Sequence, residues 1–302
     1  MIRVRVPATT ANLGPGFDCM GMALDLWNTF TMEPWGAQGD VVVENSGEGA
    51  ERLATDGTNL VAETTIALLG PKWEAMGHGL KFTCHAEVPC GSGLGSSSTA
   101  VVAGVTFAEA LLGDIDRDRI LRRSVQIEGH GDNVGPAIVG GLLLIMPHNG
   151  GVIVRSVLTE PLRVVVCVPD FDFPTSVARA ALPEKVPHKD AVFNLGRAMF
   201  ALQALRNGDD DLLAIALEDR IHQPYRLSHI PGAESVIAAA KETGAIGSCL
   251  SGAGPGIIAF ARSGHDLIGQ AMAEAYSQAG LQARSWILDT TTEGVTFERT
   301  QA

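Results

Sequence analysis

Three short segments of the sequence carry groups that could bind an anion and a metal ion. The first segment, PCGSGLGSSST at 89–99, contains three glycines, a run of four hydroxyl residues and no charge. Glycines let successive backbone N–H groups turn toward one point, and the first N–H groups of a helix have no partner within that helix. The segment therefore predicts an anion site at a helix start. The structural alternative is that Ser96 only caps the helix after a tight turn.

This segment lacks the lysine that many phosphate loops carry. The pattern GxxxxGK[ST] does not occur in the chain, and Gly91, Gly93 and Gly95 are spaced GxGxG rather than GxGxxG. Backbone dipoles alone neutralise a triphosphate poorly, so a divalent cation is expected. Mg²⁺ takes oxygen ligands, with few from the protein and usually one carboxylate among them. A carboxylate from elsewhere in the chain should therefore reach this loop.

The second segment, EGHGDNVGPA at 128–137, offers such groups within six residues: Glu128, His130, Asp132 and Asn133. Each also has an ordinary structural explanation. Glu128 could pair with Arg122 or Arg123 on its own helix, and His130 could be a packing histidine. The concentration of these side chains between glycines favours a functional role, with Glu128 as the metal ligand.

The third segment, PATTANLGPGFD at 7–18, supplies Asn12 and Asp18 around a Gly-Pro-Gly turn. Alone, Asp18 would be explained as a turn residue. Because the three segments are far apart in the chain, only tertiary structure can bring their side chains together.

Periodicity predicts the elements that must do this. Alternation of apolar and polar residues predicts a strand that leads into the glycine loop, and the mostly apolar stretch after the loop predicts a helix that is covered on nearly every side. The turn CLSGAGPG at 249–256 separates two apolar runs and is expected to support the loop. The predicted strands are 2–6, 28–33, 40–44, 79–89, 142–146, 152–157 and 162–168, and the predicted helices begin with 60–69, 97–112 and 116–128.

Composition excludes several classes of protein. A net charge of −12 argues against a nucleic-acid partner, because duplex binding needs a basic face. The five cysteines are scattered, with no CxxC pair, which predicts neither a disulfide framework nor a thiolate zinc site. The N-terminus has no apolar signal segment, and the uncharged stretch 88–108 begins as a Gly/Ser-rich loop, so no membrane span is expected. We expect a cytoplasmic protein.

With these segments identified, the chain resembles the GHMP kinase superfamily, and within it the homoserine kinase family, over nearly its whole length. PATTANLGPGFDCMG at 7–21 is similar to the N-terminal motif of that family, and PCGSGLGSSST to the superfamily's ATP loop. EGHGDNVGPA and CLSGAGPG resemble two further motifs. TSVARAALP at 175–183 and DRIHQPYR at 219–226 are similar to segments where the family places substrate-binding residues.

The resemblance implies an activity and an architecture. The activity is transfer of the γ-phosphoryl group of ATP, with Mg²⁺, to the side-chain hydroxyl of L-homoserine in threonine biosynthesis. The architecture is α+β with two domains: an ATP-binding domain at 1–157, containing a left-handed β-α-β unit, and a ferredoxin-like domain at 158–302. A homodimer is implied as well.

The resemblance also implies roles for individual residues. Ser97 and Glu128 would hold Mg²⁺. Asp132, Asn133 and His130 would form the catalytic group. The amino acid would be held by Asn12, Asp18, Thr175, Arg179 and Arg226. ATP would contact Asn59, Pro89, Cys90, Gly91, Ser92, Gly93, Leu94, Gly95, Ser96, Ser97, Ser98 and Thr99.

Two questions stay open at this point. The acceptor could belong to another small-molecule GHMP kinase, acting on mevalonate, shikimate or threonine, or the protein could be a sensor that binds ATP and a metabolite without catalysis. The general base is also open. Many relatives have an aspartate where this chain has Asn133, so Asp132 is expected to hold the substrate, the phosphate itself would take the proton, and whether a side chain acts as a base stays open.

Overall fold

Residues 1–300, which the computed structural model describes, form one seven-stranded and one four-stranded sheet with eleven α-helices. The strands are β1 Ile2–Ala11, β2 Met20–Trp35, β3 Val41–Gly47, β4 Gly79–Ala86, β5 Leu142–His148, β6 Gly151–Val157, β7 Arg163–Pro169, β8 Gly247–Leu250, β9 Ile257–Ala261, β10 Ala283–Asp289 and β11 Thr296–Arg299. The helices are α1 Leu60–Leu69, α2 Pro71–Glu74, α3 Ser96–Leu112, α4 Arg117–Glu128, α5 Val134–Val139, α6 Thr175–Ala180, α7 His188–Asn207, α8 Asp210–Ala216, α9 Gln223–Leu227, α10 Ala233–Glu242 and α11 His265–Gln278.

The larger sheet has the strand order β11-β1-β2-β4-β3, and β5 and β6 branch from the start of β2. Its pairs are antiparallel except for β3 and β4, which run parallel and are joined through α1 and α2. The smaller sheet is antiparallel, in the order β10-β7-β9-β8. Because β11 pairs with β1, the end of the chain returns to the first sheet.

Most of the predicted elements are found with small changes at their ends. The helix predicted at 97–112 is α3, and its side chains are buried on nearly every side because it lies between the first sheet and α1. The side chain of Asn59 accepts a hydrogen bond from the Val61 amide and so begins α1. The side chain of Asp116 begins α4 in the same way.

The N-terminal strand differs from the prediction. The sequence predicted a strand only to residue 6 and a turn at 7–18, but β1 continues to Ala11. Thr9 and Thr10 are fully buried and pair with Ala23 and Met22 of β2. The strand continues because these backbone groups are paired, although proline and polar side chains hide the apolar alternation.

The apolar core has three parts. One lies between the larger sheet and the helices α1, α3, α4 and α5. A second combines the start of β2 with β7, β9, α7 and α8, so both sheets contribute to it. The third lies on the other face of the smaller sheet, under α10 and α11. None of the helices described within residues 1–300 is both long and apolar enough to cross a bilayer.

The two sheets meet where the glycine loop touches the turn at 251–256. Ser251 donates a hydrogen bond from its side chain to the Gly93 carbonyl at 2.7 Å, and the Gly256 amide donates to the Ser92 carbonyl at 3.2 Å. Gly93 has a φ of 80° and lies so close to the turn that a Cβ atom would be 2.2 Å from the Ser251 carbonyl oxygen. This contact requires glycine. The support expected from the C-terminal turn is therefore observed.

We predict that Gly93→Ala destabilises the protein more than Gly91→Ala. Both positions have positive φ, at 80° and 66°, so both variants carry the same kind of backbone strain. Only position 93 adds a steric overlap, because nothing lies within 4 Å of a Cβ built at Gly91. Overpacking costs about 1–3 kcal/mol, which corresponds to roughly 2–5 °C in a chain of this size. Calorimetric melting temperatures measure the difference, and equal values for the two variants would contradict it.

Candidate active site

A cavity of about 580 Å³ lies where the two sheets meet, and all three sequence segments reach it. Further lining residues come from the loop after β7, from α6, from α9 and from the turn at 251–256. Of the predicted site residues, the lining includes Asn12, Asp18, Gly91, Ser92, Gly93, Gly95, Ser96, Ser97, Ser98, Glu128, His130, Asp132, Asn133, Thr175, Arg179 and Arg226.

The start of α3 faces this cavity without a capping side chain. Gly95 is the N-cap residue, in a left-handed conformation with a φ of 71°, and Ser96 is already the first helical residue. The alternative that Ser96 only caps the helix is therefore wrong. The first amides of a helix of 17 residues are left for a ligand, and the positive end of the helix dipole favours an anion there.

The Ser97 hydroxyl donates a hydrogen bond to Glu128 Oε1 at 3.2 Å, so α3 and the end of α4 meet at the cavity wall. Among residues 1–300, neither Arg122 nor Arg123 forms an ion pair with Glu128, and Arg123 lies instead 3.0 Å from the buried carboxylate of Glu109. One hydroxyl and one carboxylate fit Mg²⁺, which keeps most of its ligands as water and phosphate oxygens. Residues 1–300 contain no group of three or more His, Cys, Asp or Glu side chains placed to hold a metal.

The turn after β1 has an unusual backbone. Asn12, Leu13 and Asp18 have φ values of 71°, 47° and 54°, a region that side-chain-bearing residues seldom adopt. Asn12 holds the turn by donating to the Gly252 carbonyl at 2.8 Å and accepting from the Asp18 amide at 3.0 Å. Such conformations are found where the surroundings enforce them, often at binding sites.

Two of the predicted side chains in the cavity form an ion pair with each other. The Arg179 guanidinium donates from Nη1 and Nη2 to the two carboxylate oxygens of Asp18, at 3.2 and 3.0 Å. Both side chains are about one-third exposed. Arg179 is thus already neutralised by the protein.

Arg226 is the buried cation of the site. Its side chain is 2% exposed, lies over the Phe17 ring at 5.1 Å, and donates to the carbonyls of Ala178 and Gly252 at 3.1 and 3.4 Å. Among residues 1–300, none of the carboxylates lies within 4.0 Å of the guanidinium nitrogens of Arg226. Burial, followed by repulsion from Arg179, lowers the pKa of Arg226. An anionic group entering the cavity would relieve both costs.

His222, which lies in the DRIHQPYR segment but was not among the predicted site residues, positions this arginine. Burial lowers its pKa, so the neutral imidazole is favoured. The hydrogen-bond partners indicate the tautomer: Nε2–H donates to the Gly14 carbonyl at 2.7 Å, and Nδ1 accepts from Arg226 Nη1 at 3.3 Å. His222 also stacks on Phe17 with a centroid distance of 5.1 Å. It connects the strained turn to the buried cation.

The segment at 128–133 joins its own acidic and basic groups. His130 Nδ1 lies 2.8 Å from Asp132 Oδ1, and its Nε2 lies 3.8 Å from Glu128 Oε2. The hydrogen bond to Asp132 raises the pKa of His130, against the opposing effect of burial. Asn133 accepts a hydrogen bond from the Thr9 hydroxyl at 2.9 Å, and its amide cannot act as a base.

A second cavity, of about 320 Å³, adjoins the first across Gly91, Ser96 and Ser97. Its walls are largely apolar, and they include the predicted residues Asn59, Cys90 and Thr99. Asn59 already uses its side chain to begin α1 and to donate to the Ala54 carbonyl at 2.9 Å. The size and character of this cavity suit a purine base beside the phosphate loop.

Two predicted ATP residues line neither cavity. Leu94 is fully buried, packs in the core shared by the two sheets, and accepts a hydrogen bond from the Thr9 amide through its carbonyl at 3.0 Å. Pro89 accepts the Ser92 hydroxyl through its carbonyl at 2.7 Å. Leu94 therefore supports the loop from the core, whereas Pro89 lines a separate cavity of about 400 Å³ beside Cys90 and Gly91.

Several residues at the site carried no signal in the sequence. Asn28 of β2 fixes the entrance to the loop, accepting from the amides of Glu87 and Val88 at 2.9 Å and donating to Thr99 at 2.8 Å. Arg52 and Asp172 both line the larger cavity and form an ion pair with each other at 3.0 Å. A lone asparagine or a charged loop residue has no spacing from which its role could be found.

Comparison with known proteins agrees with this geometry. The chain matches the family model described as GHMP kinases N terminal domain over residues 59–141, and the one described as GHMP kinases C terminal over residues 201–278. The protein therefore belongs to the GHMP kinases. The two-domain α+β fold predicted from the sequence is confirmed, while the boundary at 157/158 and the handedness of the β-α-β unit stay predictions.

Curated relatives narrow the family further. The homoserine kinase of Synechococcus sp. (strain CC9605) is 40% identical, covering 96% of this chain and 94% of its own, and that of Desulfitobacterium hafniense is 38% identical, covering 97% and 99%. Within the GHMP kinases the chain thus belongs to the homoserine kinase family, and it is an ATP-dependent kinase.

Solved structures of related kinases have the same fold as this chain. The crystal structure of homoserine kinase from Cytophaga hutchinsonii has a TM-score of 0.86 at 28% identity, covering 98% of this chain and 97% of its own. The mevalonate kinase of L. major has a TM-score of 0.72 at 18% identity, covering 96% of each chain, which shows a shared fold alone.

We predict that Asp132→Asn lowers the pKa of His130. The Asp132 carboxylate raises that pKa above the ordinary value of 6.5, so the pair stabilises the fold fully below that value. This contribution is lost as the pH rises through the raised pKa. An NMR titration of the imidazole, assigned with His130→Gln, measures the shift. Asp172→Asn removes another carboxylate of the same cavity and serves as the control. If the titration midpoint of His130 is the same in Asp132→Asn as in the unchanged protein, the interaction is contradicted.

Proposed function

We propose that this kinase phosphorylates the side-chain hydroxyl of L-homoserine with ATP, giving O-phospho-L-homoserine and ADP in threonine biosynthesis. The observation that carries the proposal is the buried guanidinium of Arg226, which lies in the same cavity as the phosphate loop and has no carboxylate partner among residues 1–300. The α-carboxylate of an amino acid supplies that partner. The family of the relatives, at 38–40% identity, supports the same acceptor.

The remaining charges of the cavity suit an amino acid that also carries an ammonium and a hydroxyl group. Asp18, held by Arg179, offers a carboxylate to the ammonium group. His130 lies 2.8 Å from Asp132 and 3.8 Å from Glu128, the proposed metal ligand, which supports a position for His130 and Asp132 beside the reacting hydroxyl. Asn12 keeps Asp18 in place through the Asp18 amide. Thr175, at the start of α6, lines the cavity next to these groups.

The chain's contribution to phosphoryl transfer is alignment and neutralisation of charge. The transition state is loose, so developing charge on the transferred group and on the leaving phosphate must be matched by fixed donors. The amides of the glycine loop and of the first turn of α3 supply them. Ser97 and Glu128 would hold Mg²⁺, whose positive charge would draw the phosphate oxygens into line when it is bound.

None of the predicted catalytic side chains is an evident general base for the proton of the homoserine hydroxyl. Asn133 cannot accept a proton, because its side chain is a neutral amide. The His130 ring nitrogen Nδ1 is already hydrogen-bonded to Asp132 Oδ1 at 2.8 Å, so these two side chains are partners of each other. We therefore place Asp132 as a group that orients the hydroxyl, and the proton passes to the transferred phosphoryl group.

A pair of substrates tests the role of Arg226. In an ADP-release assay, homoserine should be the best acceptor among homoserine, threonine, mevalonate and shikimate. Arg226→Gln should reduce kcat/KM for homoserine by about 30-fold or more, because a buried charge-assisted pair is lost. For 3-aminopropan-1-ol, which is homoserine without its carboxylate, the same substitution should change kcat/KM by less than about threefold.

The outcome can overturn the proposal in two ways. Turnover only with an alcohol that is not an amino acid would remove the homoserine assignment. An equal loss for both substrates would mean that Arg226 does not bind the carboxylate. A melting curve of Arg226→Gln separates this from loss of the fold, and Arg226→Lys, which keeps the charge, should lose less activity than Arg226→Gln.

The metal role of Glu128 has its own test. Glu128→Gln should raise the Mg²⁺ concentration at half-maximal rate by about tenfold or more, because a neutral amide is a poorer ligand for a hard cation. Glu63→Gln, an exposed carboxylate on α1, is the matched control. An unchanged Mg²⁺ requirement in Glu128→Gln would remove Glu128 from the metal site.

We also propose that the protein is a cytoplasmic homodimer, as the family resemblance implies. Four apolar side chains of α7 are at least half exposed and form one surface that a second copy would cover: Val192, Leu195, Met199 and Phe200. The mass of the protein in solution tests the homodimer.

A further inference from the structure

Arg52 stands at the junction of the two cavities. It ends the short 3-10 turn Ala50–Arg52 between β3 and α1, and it lines both the cavity with the phosphate loop and the apolar cavity with Asn59. Gly91, Ser96 and Ser97 line both cavities as well. A molecule with its base in one cavity and its phosphates in the other must therefore pass Arg52.

Only one of the three guanidinium nitrogens of Arg52 is hydrogen-bonded within residues 1–300. Nη2 donates to both carboxylate oxygens of Asp172, at 3.0 and 3.1 Å, from the loop that follows β7. Among residues 1–300, its Nε and Nη1 have no hydrogen-bond acceptor, so three N–H donors remain for a ligand. No other Lys or Arg of these residues lines the apolar cavity.

The other cations of the larger cavity are used elsewhere. Arg179 is bound by Asp18, and Arg226 lies buried against Ala178 and Gly252. The phosphate loop itself has no lysine. A chain with a net charge of −12 therefore needs a local cation where the phosphates nearest to the nucleoside would lie.

We propose that Arg52 binds the phosphate chain of the nucleotide between the base and the terminal phosphate, and that Asp172 competes with the phosphates for it. The inference rests on the proposed placement of ATP in these two cavities, although not on the identity of the acceptor. Arg52 supplies, from a separate loop, a positive charge that the glycine loop lacks. Its free Nε and Nη1 can donate in parallel to phosphate oxygens.

The alternative is that the Arg52–Asp172 ion pair only fastens the segment after β3 to the loop after β7 and has no role in ligand binding. A second ion pair already does this for the same segment, since Arg284 of β10 donates to both carboxylate oxygens of Glu48, at 3.0 and 2.6 Å. An ion pair as exposed as Arg52–Asp172 contributes little to stability. The fastening function would therefore survive the loss of Arg52.

The two explanations predict different signs for the two partners. A phosphate ligand loses a cation in Arg52→Gln, so its binding weakens. In Asp172→Asn it loses a competing anion, so its binding tightens. A simple fastening is broken equally by either substitution and changes binding in the same direction for both.

Calorimetric titration of ADP and of adenosine into the full-length protein distinguishes them. We expect Arg52→Gln to weaken ADP binding about tenfold and adenosine binding less than twofold, because only ADP carries phosphates. We expect Asp172→Asn to tighten ADP binding about two- to threefold, and raising the salt concentration to reduce both effects. Arg163→Gln is the matched control, since Arg163 forms a similarly exposed pair with Asp289 away from both cavities.

Three results would overturn the proposal: unchanged ADP affinity in Arg52→Gln, equal losses for ADP and adenosine, or weaker ADP binding in both Arg52→Gln and Asp172→Asn. These results are independent of the acceptor, because no homoserine is present. Failure of the homoserine assay with the expected ADP results would remove the acceptor assignment and leave the role of Arg52 in place.

Discussion

The contact between the glycine loop and the turn at 251–256 is the constraint on which the site depends. Gly93 lies so close to the Ser251 carbonyl that no side chain fits there, and Ser251 and Gly256 hydrogen-bond to carbonyls of the loop. Because the turn satisfies these carbonyls, the loop can leave the first amides of α3 unpaired. The same contact brings Gly252 to the side chains of Asn12 and Arg226. One backbone junction thus orders both the anion end and the amino-acid end of the cavity.

Around this junction the protein distributes charge unevenly. The chain is strongly acidic, yet each end of the cavity has its own cation, with Arg226 buried at one end and Arg52 at the surface between the cavities. A buried cation without a carboxylate is costly, and it is tolerated here because carbonyls, an aromatic ring and a neutral histidine surround it. Such an arrangement favours a ligand that brings its own negative charge.

The local elements around the site were largely predictable. The apolar stretch after the loop predicted α3 within one residue, and the polar residues before α1 and α4 predicted their starts. β1 was predicted too short, because Thr9 and Thr10 look like turn residues and are buried only through their pairing with β2. The alternative that Glu128 pairs with Arg122 or Arg123 on its own helix is not observed among residues 1–300, because Arg123 pairs with Glu109 of α3 and Glu128 accepts a hydrogen bond from Ser97.

The sequence by itself determined the chemistry that is available: an anion loop without a lysine, a carboxylate between glycines, and the motifs that place the chain among the GHMP kinases. These features are local, because glycine spacing and helix starts depend on a few neighbouring residues. Only the tertiary structure decided how the charges pair. Arg179 pairs with Asp18, 161 residues away in the chain, and Arg52 pairs with Asp172, whereas Arg226 has no carboxylate partner among residues 1–300. Pairing at that distance follows from how the two sheets pack. No spacing along the chain encodes it.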